Sequence, residues 1–233
     1  MNKLHIPPLD EQAAKTALEH QKILAKPPLA LGKLEPVAIQ IAAMTGNPAP
    51  RLKDKAVVLF AADHHIADHG LSLTSTDVTY IQTRNFLQGG GTINAFTRNA
   101  GARLSVVDVG VNYDFGDLPG LVKRKVMHGA SDFSRGPAMT REQALECLQV
   151  GIDMAREEKA RGLDIVAAGE MGIGNTTPSS AIVAVLTGTP VETVTGRGSG
   201  VKGEVIRKKI ELIEQGISLN KPDPSDAIDV LAK

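Results

Sequence analysis

The sequence predicts an α/β fold in which a doubly wound parallel sheet follows a short helical region. Apolar runs recur at Ala56–Ala62, Ser105–Val111 and Leu163–Gly172, and polar residues gather at or just after their carboxyl ends. Such runs are typical of strands that are buried on both faces of a parallel sheet. Helical patterns separate the runs, and this alternation of strand and helix indicates a doubly wound sheet.

The front of the chain predicts two helices without a strand. Residues 10–25 carry apolar side chains at helical spacing after an acidic first turn, and two prolines follow them. A second helix is expected over Leu34–Ala43, before the loop TGNPAPR. We therefore expect residues 1–50 to belong to a small helical domain and residues 51–233 to form the sheet domain.

The sheet domain contains further elements between and after the strands. The segment VKRKVMHG is a candidate for an extra strand, and the three glycines at 89–91 predict a break in the helical pattern around them. Asp226 is a candidate N-cap for a helix of barely two turns before the chain ends. Because an amphipathic helix this short is seldom stable alone, we expect that the chain is truncated and that its helical domain is incomplete. The predicted helices are Val78–Ala100, Arg141–Arg161, Thr177–Leu186 and Glu204–Gln215.

The composition is that of an ordinary globular protein and excludes several function classes. Of 233 residues, 42% are hydrophobic, and 26 Lys and Arg balance 26 Asp and Glu. A neutral chain with 3% aromatic residues gives no reason to expect a nucleic acid or a membrane surface as partner. Cys147 is the only cysteine, which excludes an intrachain disulfide. Without a signal core or a long apolar run, a cytoplasmic protein is expected.

The segment GEMGIGNTT, Gly169–Thr177, is the strongest candidate for a ligand loop. It leads from a predicted strand into a predicted helix. Gly172 and Gly174 allow a tight turn that brings backbone N–H groups close to a ligand. The helix N-terminus that follows offers unpaired N–H donors and a partial positive charge, which favour phosphate.

Polar side chains around this turn extend the hypothesis to a ribose phosphate. Glu170 offers an acceptor for ribose hydroxyls, and Thr176 and Thr177 offer hydroxyl donors. The alternative is an ordinary N-cap by Asn175 or Thr176 that binds no ligand.

A second glycine-rich loop, TGRGSGV at Thr195–Val201, carries Arg197 and precedes Lys202, Lys208 and Lys209. Backbone flexibility next to cations is typical of an anion site. The alternative, a solvated loop before a helix, is about equally well supported. Neither glycine-rich loop matches GxxxxGK[ST].

The segment AADHHIADHG concentrates histidines and aspartates after the first predicted strand. We expect no metal site, because adjacent His64 and His65 point apart on a strand and metal ligands usually come from separated elements. One histidine is expected to contact a ligand. Further along, Gln82 and Asn85 lie on one helical face, where Gln82 is a candidate to orient a ring, and capping or solvent exposure is the alternative.

The segments FAADH, DHGLS, VVDVGV, GPAMT, GEMGIGNTT, GRGSG and NKPDPSDAIDVLAK resemble the nicotinate-nucleotide:dimethylbenzimidazole phosphoribosyltransferase family, as does KPPLALGKLE near the front. The resemblance covers nearly the whole chain in the family's order. It implies a Rossmann-like parallel domain, a small helical domain built from both chain ends, and a homodimer. It also implies transfer of 5-phosphoribosyl from nicotinate mononucleotide to a benzimidazole-type base, without a cofactor or a metal. The product would be an α-ribotide for the lower ligand of cobalamin.

The resemblance assigns roles to particular residues. Thr74 and Gln82 would line the base pocket, together with His64 after the first strand. The residues that would bind phosphate and ribose are Glu170, Gly174, Asn175, Thr176, Thr177, Gly196, Gly198 and Lys209.

Two departures from the family pattern affect the prediction. His65 stands where the family usually has a glycine, which bears on the preference for the base. The family's general base is a glutamate beyond the equivalent of Lys233, so no catalytic residue is assigned in this chain. Glu170 is expected only to have a supporting role in the site. The chain alone is therefore expected to be inactive.

Two other function classes stay open. A chain with both loops but no base could be a non-catalytic nucleotide-binding protein or an inactive subunit. A dinucleotide-dependent oxidoreductase is less well supported, because AADHHI stands where GxGxxG would be expected.

Overall fold

The computed structural model describes residues 5–233, which divide into two compact units at Lys53 and Asp54. The first unit contains helices α1 (Glu11–Ile23) and α2 (Leu34–Thr45). Both helices of the front region were predicted.

Polar interactions of Asp10 and Glu35 shape the first unit. Asp10 caps α1 by accepting from the N–H of Ala13 at 2.8 Å, and its own N–H donates to the carbonyl of Ala43 in α2 at 2.9 Å. Between the helices, Lys26 and Glu35 form a largely buried ion pair at 2.7 Å. That pair and the hydrogen bond to the N–H of Leu31 lower the pKa of Glu35.

The second unit is a four-stranded parallel sheet with helices. Its strands are β1 (Lys55–Ala62), β2 (Ala102–Gly110), β3 (Leu121–Lys123) and β4 (Ile165–Met171). A 3-10 helix, His65–His69, follows β1. The remaining helices are α3 (Val78–Leu87), α4 (Thr92–Ala100), α5 (Arg141–Ala160), α6 (Thr176–Thr187), α7 (Val191–Val194), α8 (Glu204–Asn220) and α9 (Ala227–Ala232).

The predicted α/β class is confirmed, with two adjustments of detail. The helical pattern over 78–100 is two helices, and the predicted break falls at the glycines between them. The extra strand is short and begins at Leu121, one residue before the segment that predicted it. Thr140 and Gln143 begin α5 with a reciprocal capping box.

Helices cover both faces of the sheet, because successive residues of a strand point to opposite sides. On one face, Leu59 packs with Phe86 and Ile93 from the α3–α4 region. On the other face, Val58 packs with Val150 and Met154 of α5. Burial on both faces explains why β1 and β2 read as continuous apolar runs. The same expectation is wrong for β4, which is an edge strand whose residues 165–168 are exposed despite being apolar.

The strand order is β3-β2-β1-β4. From β1 the chain adds β2 and β3 on one side and then places β4 on the other side of β1. The direction of winding therefore reverses between β1 and β4. The carboxyl ends of strands at such a reversal form the usual ligand crevice of an open parallel sheet.

Candidate functional site

The candidate site lies where β1 and β4 end side by side, with Ala61 paired to Met171. Gly172, directly after β4, comes so close to β1 that an added Cβ would lie 2.4 Å from the carbonyl oxygen of Ala62. Gly174 has φ +82°, and a Cβ there would lie 2.5 Å from the Cβ of Ala67. The loop therefore requires glycine at both positions.

A threonine from α3 holds the same loop from the other side. The N–H of Ile173 donates to the hydroxyl of Thr79 at 3.1 Å, and Thr79 is fully buried. Thr79 is not among the predicted site residues, because a threonine on a helical face has no sequence signature that distinguishes this role. The turn is thus fixed by β1, the 3-10 helix and α3.

The N-terminus of α6 presents unused hydrogen-bonding groups. Thr177 is 1% exposed, and its hydroxyl has no hydrogen-bond partner among the described residues. Within residues 5–233, the backbone N–H groups of Gly174 and Thr176 also donate to no protein acceptor. Buried polar groups are normally satisfied, so the Thr177 hydroxyl favours a ligand with acceptor atoms. The two N–H groups are the ordinary free donors of a helix N-terminus and can bind the same ligand.

The ordinary N-cap that stood as the alternative is not formed. Asn175 has helical backbone angles and makes no capping hydrogen bond. Its side-chain amide instead donates to the carboxylate of Glu170 at the end of β4. The Thr176 hydroxyl accepts from Lys209 rather than from the helix N-terminus.

Lys209 reaches this helix end from α8. Its side chain is 1% exposed, and Nζ donates to Thr176 Oγ1 at 2.7 Å and to the carbonyl of Gly196 at 3.4 Å. An ammonium has three N–H donors, and the third has no partner among the described residues. No carboxylate in that part of the chain forms an ion pair with it, and burial lowers the pKa of Lys209.

The second glycine-rich loop closes over the same position. Gly198 has φ +51°, and an added Cβ would lie 2.7 Å from Thr176 Oγ1 and 3.7 Å from Lys209 Nζ. The two glycine-rich loops therefore meet at Thr176 and Lys209. The structure brings together Glu170, Gly174, Asn175, Thr176, Thr177, Gly196, Gly198 and Lys209, and we call this group the cradle.

Thr74 is exposed and is connected to the second loop by hydroxyl groups. Ser72 Oγ lies 3.3 Å from Thr74 Oγ1 and 3.1 Å from Ser199 Oγ. Ser199 also accepts from the N–H of Leu73 at 3.3 Å. The segment after the 3-10 helix is thus fastened to the cradle loop.

Gln82 lies elsewhere. It accepts from the side-chain amide of Asn85 at 3.1 Å, and the two residues line a groove on α3 that contains no cradle residue. The structure therefore does not join Gln82 to the cradle, and its assignment to the base pocket stays a prediction.

The two histidines after β1 have different surroundings. The ring of His64 lies 3.3 Å from the Cβ position of Gly172, and burial lowers its pKa, so the imidazole is neutral at pH 7. His65 contacts the Asp68 carboxylate and the His128 carbonyl, each at 3.1 Å. Partial burial disfavours the charged ring, but these two partners raise the pKa of His65 overall.

Two kinds of feature are absent from residues 5–233. No group of three or more His, Cys, Asp or Glu side chains in this range could hold a metal ion. No helix in it is long and apolar enough to cross a membrane.

A family model described as phosphoribosyltransferase matches residues 6–233. The chain is 50% identical over 226 residues to the nicotinate-nucleotide–dimethylbenzimidazole phosphoribosyltransferase of Geobacter sulfurreducens, covering 97% of this chain and 64% of that protein. It is 49% identical to the protein of the same name from Roseiflexus sp., covering 98% of this chain and 65% of the relative.

Solved structures show the same relationship. The crystal structure of CobT from Thermus thermophilus matches with a TM-score of 0.90 and 42% identity, over 95% of this chain and 66% of that one. The chain therefore spans slightly less than two thirds of the length of the relatives that it matches.

Proposed function

Because this chain belongs to the phosphoribosyltransferase family, we propose that its cradle binds the 5-phosphoribosyl group of a nucleotide. The phosphate accepts from the free N–H of Lys209, from the Thr177 hydroxyl and from the backbone N–H groups that begin α6. Glu170, held by Asn175, accepts from a ribose hydroxyl. The observation that carries this proposal is the buried Lys209, which has no carboxylate partner among the described residues.

The proposed reaction moves the phosphoribosyl group from nicotinate mononucleotide to dimethylbenzimidazole or a similar base. The names of the relatives and the family motifs support these substrates. A ring nitrogen of the base attacks the anomeric carbon with inversion, through an oxocarbenium-like transition state, and loses its proton to a general base. Nicotinate leaves as a neutral pyridine ring because the donor is already a pyridinium. The α-ribotide then serves as the lower ligand of cobalamin.

The family resemblance also supports a homodimer in the cytoplasm as the working form. Partners are limited to the nucleotide and the base.

Two substitutions test the cradle by separating stability from binding. Thr177→Val removes a buried hydroxyl that has no partner, so the free protein should be as stable as the wild type or more stable. Lys209→Met removes a buried cation together with its hydrogen bonds to Thr176 and Gly196; these effects have opposite signs, so the free energy of unfolding should change by less than about 2 kcal/mol. Both variants should lose at least about tenfold in affinity for nicotinate mononucleotide, because charge-assisted hydrogen bonds to phosphate are lost. Titration calorimetry and thermal unfolding measure the two effects.

Matched controls come from the same helices. Thr187→Val changes a threonine at the other end of α6, whose hydroxyl donates to Val183. Lys208→Met changes an exposed neighbour of Lys209 that donates to the His69 carbonyl. Both should keep wild-type affinity. Equal affinity of the Thr177 and Lys209 variants and the wild type would show that the cradle is not the phosphate site.

A second candidate function is nucleotide binding without catalysis. It is favoured by one observation: the cradle lies wholly within these residues, whereas the chain spans 64–65% of its relatives' length. A product assay with nicotinate mononucleotide and dimethylbenzimidazole distinguishes the two functions. Binding without α-ribotide formation in any longer form of the protein would favour the second.

A further inference from the structure

Thr79 is a buried polar side chain that contacts the first glycine-rich loop without belonging to the cradle. It lies on α3, and its exposed fraction is 0%. Its hydroxyl accepts from the backbone N–H of Ile173 at 3.1 Å. No backbone carbonyl within residues 5–233 accepts from that N–H. The backbone of the loop is therefore held at Ile173 by a side chain from another element.

Thr83, one turn further along α3, shows how a threonine hydroxyl usually bonds inside a helix. It is buried to the same extent as Thr79, and its hydroxyl donates to the carbonyl of Thr79 at 2.8 Å. Such a bond satisfies the hydroxyl within its own helix. The Thr79 hydroxyl has no bond of this kind in the described part of the chain and is directed to the loop instead.

The loop needs such a restraint because Ile173 lies between two glycines. Glycine has the widest choice of backbone conformations, so its neighbours determine the path of the chain only weakly. Close contacts with β1 and the 3-10 helix limit Gly172 and Gly174 sterically. The hydrogen bond to Thr79 adds the directional restraint between them.

Helix α3 is a firm support for this hydrogen bond. Tyr80 and Phe86 of α3 pack against the core cluster that contains Leu59 and Val106. The position of the Thr79 hydroxyl is therefore set by the core of the sheet domain. Through Ile173, that position also determines where the loop lies.

The restrained amide lies between the groups proposed for the two ends of the ligand. Glu170, the proposed acceptor for a ribose hydroxyl, precedes Ile173 in the sequence. The free N–H of Gly174 and the Thr177 hydroxyl, proposed donors to the phosphate, follow it. The backbone conformation at Ile173 therefore sets the distance between the two sets of groups. A site with this distance fixed in advance binds a two-ended ligand without the cost of ordering the loop.

We propose that Thr79 is a positioning residue that sets the spacing between the ribose end and the phosphate end of the cradle. It acts through the N–H of Ile173 and contacts neither end of the ligand. The inference rests on the proposed function, since it concerns the same phosphoribosyl site. It goes further by assigning to Thr79 the preference of that site for a phosphoribosyl group over phosphate alone.

Binding of nicotinate mononucleotide and of inorganic phosphate to the 233-residue chain tests this role by phosphorus NMR titration. Thr79→Val removes the acceptor for Ile173, so the loop populates other conformations. The mononucleotide needs both ends of the cradle, and its dissociation constant should rise about three- to tenfold. Inorganic phosphate needs one end, and its dissociation constant should change less than about twofold. Thr79→Ser keeps the hydroxyl and should bind both ligands like the wild type.

Thr83→Val is the matched control, because it removes an equally buried hydroxyl whose bond stays within α3. It should leave both affinities unchanged. Equal losses for the two ligands in Thr79→Val, or no loss for either, would overturn the role of Thr79.

Hydrogen exchange at the Ile173 amide of the wild type gives a second result that needs no variant. We expect slow exchange, because the N–H is bonded to a buried hydroxyl. Exchange as fast as in an unfolded peptide would overturn the inference even if Thr79→Val fails to fold. Failure of the wild type to bind the mononucleotide would instead overturn the proposed function.

Discussion

Glu158 is a fully buried carboxylate that fastens α5 to β2. Its Oε1 accepts from the Ser105 hydroxyl at 2.8 Å and from Arg161 at 2.9 Å, and its Oε2 accepts from Arg103 at 3.1 Å. Glu158→Gln removes the charge and turns an N–H₂ group toward these donors. We expect the free energy of unfolding to fall by about 2–3 kcal/mol in urea denaturation.

The matched control for this variant is Glu157→Gln. Glu157 pairs with Arg124 at the surface, where side chains are 48% and 42% exposed. Such a pair is worth about 0–1 kcal/mol, so this variant should resemble the wild type. Similar losses for both variants would contradict the role assigned to the buried carboxylate.

Acid should erase the difference at Glu158. Burial opposes the charged form of Glu158. The hydrogen bonds from Ser105 and Arg103 and the positive charges of the two arginines outweigh that effect and lower the pKa of Glu158 below 4.5. A carboxyl with a depressed pKa stabilises the fold above its unfolded pKa, and the benefit disappears as pH falls through the folded value. The wild type and the Gln variant should therefore converge in stability as the pH falls from 4.5 through the lowered pKa of Glu158.

His65 should have the opposite pH dependence. Its pKa is raised from 6.5 by Asp68 and by the carbonyl of His128, with a smaller effect of Asp63. The stabilisation is present below pH 6.5 and is lost as pH rises through the raised pKa. The pair with Asp68 is partly exposed, so the effect should stay below about 1 kcal/mol.

A thermal-unfolding series from pH 5.5 to 8.5 measures the His65 effect. His65→Gln and Asp68→Asn should each flatten the same part of the pH profile. An unchanged profile in both variants would show that this pair does not titrate with folding.

At the scale of helices, two glycines should respond in opposite ways to alanine. Gly151 lies inside α5, and a Cβ there meets nothing within 4 Å. Gly216 lies inside α8, and its Cβ would come within 2.4 Å of the Phe133 ring and 3.0 Å of the Phe133 carbonyl oxygen. Gly151→Ala should stabilise the fold by about 0.5–1 kcal/mol through helix propensity.

Gly216→Ala should instead destabilise the fold by about 1–3 kcal/mol, because a backbone oxygen and a packed ring must move. Chemical denaturation of the pair measures both effects against one reference. A gain from Gly216→Ala would show that α8 shifts freely away from Phe133.

The strands could be predicted from the sequence because burial on two faces requires unbroken apolar runs, as in β1 and β2. The break at Gly89–Gly91 was also visible, since glycine weakens a helix. The strand order was not predictable in detail: nothing local in the apolar run of β4 states that it pairs with β1 rather than β3. That pairing depends on long-range packing.

The candidate site was predictable where its chemistry is local. The glycine-rich turn, Thr177 and Lys209 came from spacing and family motifs. Sequence reasoning could not show that Asn175 would contact Glu170 instead of capping α6, or that Gln82 would face a separate groove. Those outcomes depend on side-chain directions that only the assembled elements determine.

At the scale of the whole molecule, the first unit exposes many apolar side chains. They include Ile23, Leu29 and Leu34, which are 79%, 75% and 66% exposed. Exposed apolar surface of this kind promotes association. We expect the chain to self-associate with rising concentration in sedimentation velocity experiments.

A double variant, Leu29→Asn with Leu34→Gln, should reduce that association. Asparagine also suits the left-handed conformation of Leu29, which has φ +61°. The matched control, Leu219→Gln, alters an exposed apolar residue on α8. Equal association of the double variant and the wild type would show that another surface mediates self-association.

The parallel pairing of β1 with β4 has a consequence for the order of folding. Asp54 and Asp164, which directly precede the two paired strands, are 110 residues apart in the sequence and are joined by a 2.9 Å hydrogen bond. Closing so long a loop costs conformational entropy before stabilising contacts form between the strands. This pairing should therefore form late in refolding. The glycine-rich loop after β4 lies against Ala62 and Ala67 only when this pairing has formed. In a stopped-flow experiment, helical circular dichroism should therefore recover before affinity for a phosphorylated ligand does.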